Sequence, residues 1–459
     1  MTQTSLPSSR REFMKKATLA TAAGTLAVSG FVPRVHAAED NTIKIAIVGC
    51  GGRGNGAVDQ ALSTAGPTKL VATADFFADR AASCAEILAA KYQDQPGKID
   101  VPKERQFVGL DGYKHAIHAV GPGGVILLAT PPVFRPPHVE YAVNQGVHVF
   151  MEKSFAVDAP GIRRIIKAGK LASEKNLKVA SGLMSRHSYA LDAAMEQIHG
   201  GLIGDLVTVW AYREHGTIGL APKQANETEL AHQIRNYSNF TWINGGFILD
   251  WLIHNLDVSC WAKNSLPVSA QGHGGRSTRT YKDQLFDHYG IEYRFGDGTT
   301  LFAQGRHIDN TWGFFGCKLH GTKGAAILGE GIKEPKIYKT WKTTDDNAIW
   351  EHTGEFNNFY QTEHDKLFAA IRNDTPYNEA ERSAHSAMVG ILGLMAAETG
   401  QEIFWDDAIK SDVELAPGLD SMTMESDPPV MPDADGNYPI AIPGQKSVWT
   451  AWPPSQSRK

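Results

Sequence analysis

The chain begins its regular patterning at Ile43-Lys44-Ile45-Ala46-Ile47-Val48, where five of six side chains are apolar, as in a strand covered on both faces. A second apolar run, Lys69 to Ala74, and a third, Val125 to Thr130, are separated from it by stretches with helical spacing. Pro131-Pro132 ends the third run, and His138 to Val143 supplies a helix leading to a fourth strand, Val147 to Met151. Strands alternating with helices in this way predict a doubly wound parallel sheet over residues 42–155. Residues 158–176 predict a helix with Ile162, Ile165, Ile166 and Ala168 inward and Arg163, Arg164, Lys167 and Lys170 toward water.

Beyond Lys178 the runs lengthen and alternate: Leu206 to Tyr212, Gly290 to Phe295, Thr299 to Gln304 and Cys317 to His320, with Gly296-Asp297-Gly298 as a hairpin turn. These strands predict an α+β second domain, residues 156–415, built on a large, mostly antiparallel open sheet. Its helices are expected at 356–372, returning toward the first domain, and at 379–399, with Pro376 between them. Residues 416–459, rich in Pro, Gly and Asp, read as an arm. A broad open sheet is a face that proteins often bury by self-association, so a homo-oligomer is expected.

The run Gly49-Cys50-Gly51-Gly52-Arg53-Gly54 lies between the first strand and a helix, which is the setting of a dinucleotide fingerprint. Gly49 permits a tight turn, Gly51 lets a pyrophosphate approach the backbone, and Gly54 lets helix pack on strand. The phosphates would meet a helix N-terminus, where unpaired N–H groups and the dipole favour anions. Asp75 ends the second strand about 20 residues further on, where a carboxylate can bind the ribose 2′-hydroxyl. With Phe76-Phe77 behind it, Asp75 favours NAD over NADP, Arg80 being the nearest cation that could accommodate a 2′-phosphate.

Composition narrows the remaining classes. The 459 residues are 42% hydrophobic and 21% charged, with a formal charge of -5, so a basic footprint for nucleic acid is lacking. Cys50, Cys84, Cys260 and Cys317 are far apart and form no C-x-x-C pair, so no metal site is expected. Residues 1–37 read as a twin-arginine signal peptide: Ser9-Arg10-Arg11-Glu12-Phe13-Met14-Lys15, a mild apolar stretch from Ala17 to Val32, then Val35-His36-Ala37. This implies the twin-arginine export machinery as a partner and a periplasmic or otherwise exported location.

Two places could carry chemistry. Lys153, after Glu152 at a strand end, lies where ligands of such sheets bind, and an ammonium there can hold a substrate hydroxyl or, once neutral, take its proton. Downstream, Gly245-Gly246 precedes Asp250 and His254, four apart and expected on one helix face, so that the carboxylate orients the imidazole. Arg213 and His215, at the end of the strand from Leu206, and Arg186 are candidate substrate contacts.

Over residues 42–407 these motifs resemble the Gfo/Idh/MocA family of glucose-fructose oxidoreductases and inositol dehydrogenases. The resemblance implies Lys153, Asp250 and His254 as the catalytic set, and Gly49, Gly51, Gly52, Gly54, Asp75, Thr130, Pro131, His138 and Glu152 as cofactor contacts. It implies hydride transfer between nicotinamide and a carbinol carbon of a sugar, cyclitol or related polyol. Glycoside hydrolysis by transient oxidation on a retained NAD, and sugar binding without catalysis, are the competing readings. One departure is Ser154, where the family commonly has a proline after the lysine, often in a cis linkage. A cis bond without proline costs about 3–4 kcal/mol. The expectation is therefore a trans link and an altered aim for Lys153.

Overall fold

The structure is a computed structural model and describes residues 41–329, 334–445 and 447–451. The signal-peptide reading of residues 1–37 lies outside the described residues. Six parallel strands form the first sheet: Ile43–Val48 (β1), Thr68–Asp75 (β2), Gln106–Val108 (β3), Val125–Leu128 (β4), His148–Met151 (β5) and Val179–Ser181 (β6). Their order is β3-β2-β1-β4-β5-β6, so the winding reverses between β1 and β4, which opens a crevice beyond their carboxyl ends. The helix Gly52–Leu62 enters directly from the glycine run and buries Ala57, Val58, Ala61 and Leu62.

The helix Ala159–Glu174 is capped by Asp158, whose Oδ1 accepts from the Gly161 N–H at 2.9 Å. Ile162, Ile165, Ala168 and Ala172 of this helix are buried. Its arginines are less solvated than their spacing predicts. Arg163 donates to the carbonyls of Ile409 and Ser411, and Arg164 pairs with Glu140 at 2.7 Å, so both anchor other segments.

Nine strands form the second sheet: Leu206–His215 (β7), Ser269–Gly275 (β8), His288–Arg294 (β9), Thr300–His307 (β10), Phe314–Gly321 (β11), Ala325–Ile327 (β12), Lys336–Tyr338 (β13), Ala348–Glu351 (β14) and Ile403–Phe404 (β15). The order is β14-β13-β12-β11-β7-β10-β9-β8-β15, antiparallel except where β7 and β10 run parallel. The turn Gly296-Asp297-Gly298 joins β9 to β10, with Gly298 at φ +90°, a left-handed value that glycine adopts without strain. One face packs under the helices Ile253–Lys263 and Ala380–Thr399. On the other, Trp210 stacks on Phe302 at 4.5 Å, and Tyr212 meets Trp312 and Phe314 edge to face.

The helix Phe359–Arg372 returns to the first domain, as its position after the sheet predicts, and places Leu367 and Phe368 among Ile45, Ile47 and Val58. The C-terminal arm wraps its own chain. Trp449 is buried and its Nε1 donates to Glu398 at 3.0 Å, while the Val430 carbonyl accepts from Gln233 at 2.8 Å.

Candidate active site

At the carboxyl ends of β1, β4 and β5 lies a cleft of about 600 Å³. It is lined by Gly49, Gly51, Gly52 and Gly54, by Asp75, by Thr130, Pro131 and His138, and by Glu152, Lys153 and Asp250. All nine expected cofactor contacts thus meet at one wall system. The glycines are there for space. Gly49 has φ +97° and a Cβ on it would lie 2.6 Å from the Ala129 carbonyl carbon, while a Cβ on Gly54 would run into the Gly49 carbonyl. Gly51 and Gly52 face open space, and Gly51 caps the helix with no side chain of its own, so backbone N–H groups are presented to the cleft.

Asp75 sits beside the glycine run, its Oδ2 accepting from the Cys50 N–H at 2.7 Å and its Oδ1 from the Phe77 N–H at 3.0 Å. Burial raises its pKa, and the two backbone N–H bonds work against that rise. Each oxygen keeps a lone pair for a further donor such as a ribose hydroxyl. His138 stacks on Tyr113 at 4.0 Å, and burial followed by the charge of Arg135 pushes its pKa down to about 3, leaving a neutral ring in the cleft wall. These observations fit a dinucleotide: small residues where phosphates pass, free N–H donors beneath them, a carboxylate at ribose distance along the fold, and aromatic walls.

Lys153 leaves the end of β5 into a cis Lys153–Ser154 peptide, against the trans link expected without proline. Both sides of this peptide are anchored. Ser154 Oγ donates to the Leu249 carbonyl, and Arg135 donates to the Ser154 carbonyl. Lys153 Nζ donates to the backbone carbonyl of Asp250 and, at 2.9 Å, to its carboxylate. Burial pulls the lysine pKa down, but the charge and hydrogen bond of Asp250 together with Tyr237 and Glu152 outweigh it, and the net shift is upward. Lys153 is thus held as an ammonium that can donate to a substrate hydroxyl.

The Asp250–His254 dyad is not formed. Residues Ile248–Leu252 make a π-helical turn rather than an α-helical one, so positions four apart no longer face the same way. Asp250 spends Oδ1 on Lys153 and Oδ2 on Ser238, whose hydroxyl donates at 3.0 Å. His254 stands at the start of the following helix with Nδ1 buried and without a hydrogen-bond partner. Burial, reinforced by Lys153 and Arg213, lowers its pKa to about 3, so it is a neutral imidazole.

The substrate candidates divide. Arg186 is engaged by Asp257 at 2.8 and 2.9 Å and lies over the Trp261 ring at 4.5 Å, which corrects its assignment as a substrate contact. Asp257 is fully buried, and a buried carboxylate needs such a partner. Arg213 contacts the rings of Phe315 and Trp251, and the exposed His215 leans on Trp251 at 4.9 Å. Sequence reasoning passed over Arg53, although it lies inside the glycine run. Its guanidinium bonds Glu152, reaches Glu363 at 3.2 Å and stacks on Tyr360. Tyr237 and Ser238 were also missed, and nothing in their sequence neighbourhood marks them. Among the described residues, no group of three or more His, Cys, Asp or Glu side chains is placed to hold a metal ion.

The fold and cleft define a doubly wound nucleotide-binding domain joined to a second domain on a large mixed sheet, whose π-turn brings Asp250 into the cleft, while His254 and Arg213 lie outside its lining. No protein-family model matches the chain. Inositol 2-dehydrogenase from Ralstonia nicotianae is 24% identical over 298 residues, which is 62% of this chain and 74% of that protein. Inositol 2-dehydrogenase from Pseudomonas syringae pv. syringae is 26% identical over 361 residues, covering 78% and 94%. Among solved structures, scyllo-inositol dehydrogenase from Lactobacillus casei, with bound NAD(H) and scyllo-inositol, superposes with a TM-score of 0.57 at 19% identity, covering 80% of this chain and 99% of that one. Relatives and structural neighbours are inositol dehydrogenases and oxidoreductases of the Gfo/Idh/MocA type, and the architecture is theirs.

Proposed function

We propose that this protein is an NAD-dependent oxidoreductase that transfers a hydride between nicotinamide and a carbinol carbon of a cyclitol, sugar or related polyol. The observation that carries the reading is the convergence of Lys153 and Asp250 on the same cleft as the glycine run and Asp75. The names and bound cofactor of the relatives support it. A dinucleotide held by the glycine run and Asp75 would supply the hydride acceptor for oxidation of the carbinol to a carbonyl. The chain supplies the proton chemistry. The Lys153 ammonium donates a hydrogen bond to the carbinol oxygen and steadies the charge left as its proton departs. Neutral His254 takes that proton. Because Lys153 makes the hydroxyl more acidic, a weak base suffices. Asp250 fixes the ammonium in place through a 2.9 Å bond, so much of the rate comes from positioning.

Asp75 disfavours a 2′-phosphate, so NAD is the cofactor over NADP. The sequence from Ser9 to Ala37 supports export by the twin-arginine route, which carries proteins already folded around a cofactor. The outer face of the second sheet, with Trp210, Tyr212, Phe302 and Phe314 stacked and Trp312 57% exposed, supports a homo-oligomer that covers it. The test is mass analysis of the native protein for copurified NAD, followed by incubation with inositols and sugars. Net NADH supports the reading. Release of an aglycone from glycosides without net NADH supports hydrolysis instead, and NAD bound with neither activity supports a binder.

A further inference from the structure

Two of the cations in the cleft wall are neutralised, Lys153 by Asp250 and Arg53 by Glu152. Arg213 on β7 is different. Its guanidinium centre lies 4.3 Å from the ring of Phe315, its cross-strand neighbour on β11, and 4.9 Å from the ring of Trp251 in the π-turn. In contact with two aromatic rings, it has no carboxylate and no hydrogen-bond acceptor among the described residues. It is half-buried, and burial lowers its pKa, yet a guanidinium stays charged in any protein site. A guanidinium partly withdrawn from water, with no anion beside it, is a site that a ligand anion can complete.

Arg213 does not line the nucleotide cleft, so the phosphates of a dinucleotide are not its partner. It lies near the reacting groups: His254 is 6.2 Å from the same Phe315 ring, and its imidazole, lowered chiefly by burial, is lowered further by the charges of Lys153 and Arg213. The two rings occupy apolar contacts of the guanidinium and leave its N–H donors as the part free to bond. Those donors match a planar carboxylate bidentately. One guanidinium balances one carboxylate, whereas a phosphate monoester brings nearly two charges at neutral pH.

Resting on the oxidoreductase reading above, we propose that the substrate is a sugar acid, a uronic or aldonic acid, whose carboxylate is held by Arg213 while a carbinol carbon of the same molecule meets Lys153 and His254. Selection would therefore favour acids over the neutral inositols named in the relatives.

The test compares D-glucuronate and D-galacturonate with D-glucose, D-galactose and myo-inositol on the full NAD-loaded protein, by initial rates of NADH formation and by calorimetric binding. The expected result is kcat/KM for the acids at least roughly tenfold above the neutral sugars, falling with added salt. Arg213→Gln erases the preference mainly through KM. Arg213→Lys keeps part of it, since an ammonium bonds the carboxylate without the fork. Better turnover of neutral sugars or inositol than of acids overturns the inference and leaves the oxidoreductase reading intact, as does an Arg213→Gln variant that weakens both classes equally. Uronate binding that depends on Arg213 but yields no NADH supports the anion site and overturns the redox reading instead.

Discussion

Lys153, at the end of the fifth strand of the nucleotide domain, donates to Asp250 across the domain boundary at 2.9 Å, and each is the other's charge partner. Both side chains are largely buried, at 24% and 9% exposure, so the pair sits where Coulomb attraction is weakly screened. The consequence is a lysine that stays charged through the working pH range and a carboxylate whose second oxygen is tied to Ser238. A charged hydrogen-bond donor is thereby fixed at the cleft edge before any substrate arrives.

Lys153→Met keeps the length of the side chain and removes the donor. It is expected to lower kcat/KM by about 10²–10³-fold, the usual worth of one fixed donor to a developing oxyanion. Affinity for NAD, titrated by fluorescence, should change little, since the glycine run is untouched. Asp250→Asn should act differently. With its main counter-charge gone, burial faces only the weaker pull of Tyr237 and Glu152, so the lysine pKa should fall and a new alkaline limb should appear in the kcat/KM profile as the ammonium is lost with rising pH.

The wild-type profile follows from the two groups together. His254, lowered to about 3, is neutral at every pH above that, and Lys153, raised above its usual value, is charged at every pH well below it. Neither group changes state between about pH 5 and 9. The expected kcat/KM for polyol oxidation is therefore flat across that window, without the limb near 6.5 that an ordinary histidine base gives. An acid limb centred between 6 and 7 that disappears in His254→Asn would refute this.

Much of the nucleotide half was legible because its constraints are local. Gly49, Gly51 and Gly54 answer to backbone clearance within a single turn, and the apolar runs of β1, β4 and β5 answer to burial on both faces. The second-domain strands were legible from alternation, although the parallel pairing of β7 with β10 was not, since register between distant strands leaves no local mark. The misread parts depend on partners far away in sequence. Asp250 and His254 have helical spacing, but the π-turn that separates them is a tertiary event, and Asp250 finds its partner 97 residues upstream. Arg186 looked free because Asp257 lies 71 residues away. The Ser154 link looked trans because residue type was the only guide, while its anchors, Leu249 and Arg135, appear only in the fold.

Gly54 and Asp75 separate binding from cofactor choice. A methyl at Gly54 collides with the Gly49 carbonyl, and the helix cannot retreat without unpacking Ala57 and Val58. Gly54→Ala should abolish NAD binding and lower Tm. Asp75→Asn keeps the shape but removes the charge that opposes a 2′-phosphate. Its ratio of kcat/KM for NADP to that for NAD should rise roughly tenfold or more, about 1.4 kcal/mol, with Arg80 in the cleft wall available to the phosphate.

The arm links the two lips of the cleft. Met424 packs near Gly109, and the Val430 carbonyl bonds Gln233; Gly109 lines one side of the cleft and Ile234, the next residue along, lines the other. Only a few residues of arm run between these two attachments. Met424→Ala should loosen the strap without touching any cofactor contact, so NAD dissociation followed by stopped flow should speed by roughly threefold to tenfold, in proportion to about 1 kcal/mol of lost packing. Unchanged dissociation would mean that the lips are held by other contacts.

The far end of the arm gives stability a pH dependence whose sign is fixed by Glu398. This side chain is buried in the helix Ala380–Thr399, where it accepts from Trp449 Nε1, and burial raises its pKa to about 7 despite that bond. In the unfolded chain the same carboxyl ionises near 4.5. Between those values the folded state binds the proton that the unfolded state has released, so stability falls as pH rises from about 4.5 to 7, by on the order of 3 kcal/mol, and levels off above. Glu398→Gln keeps an acceptor for Trp449 and never ionises. Its Tm should exceed that of the wild type at pH 8, and the two should converge near pH 4.5. A variant no more stable than the wild type at pH 8 would show that Glu398 is ionised at no cost in the folded protein.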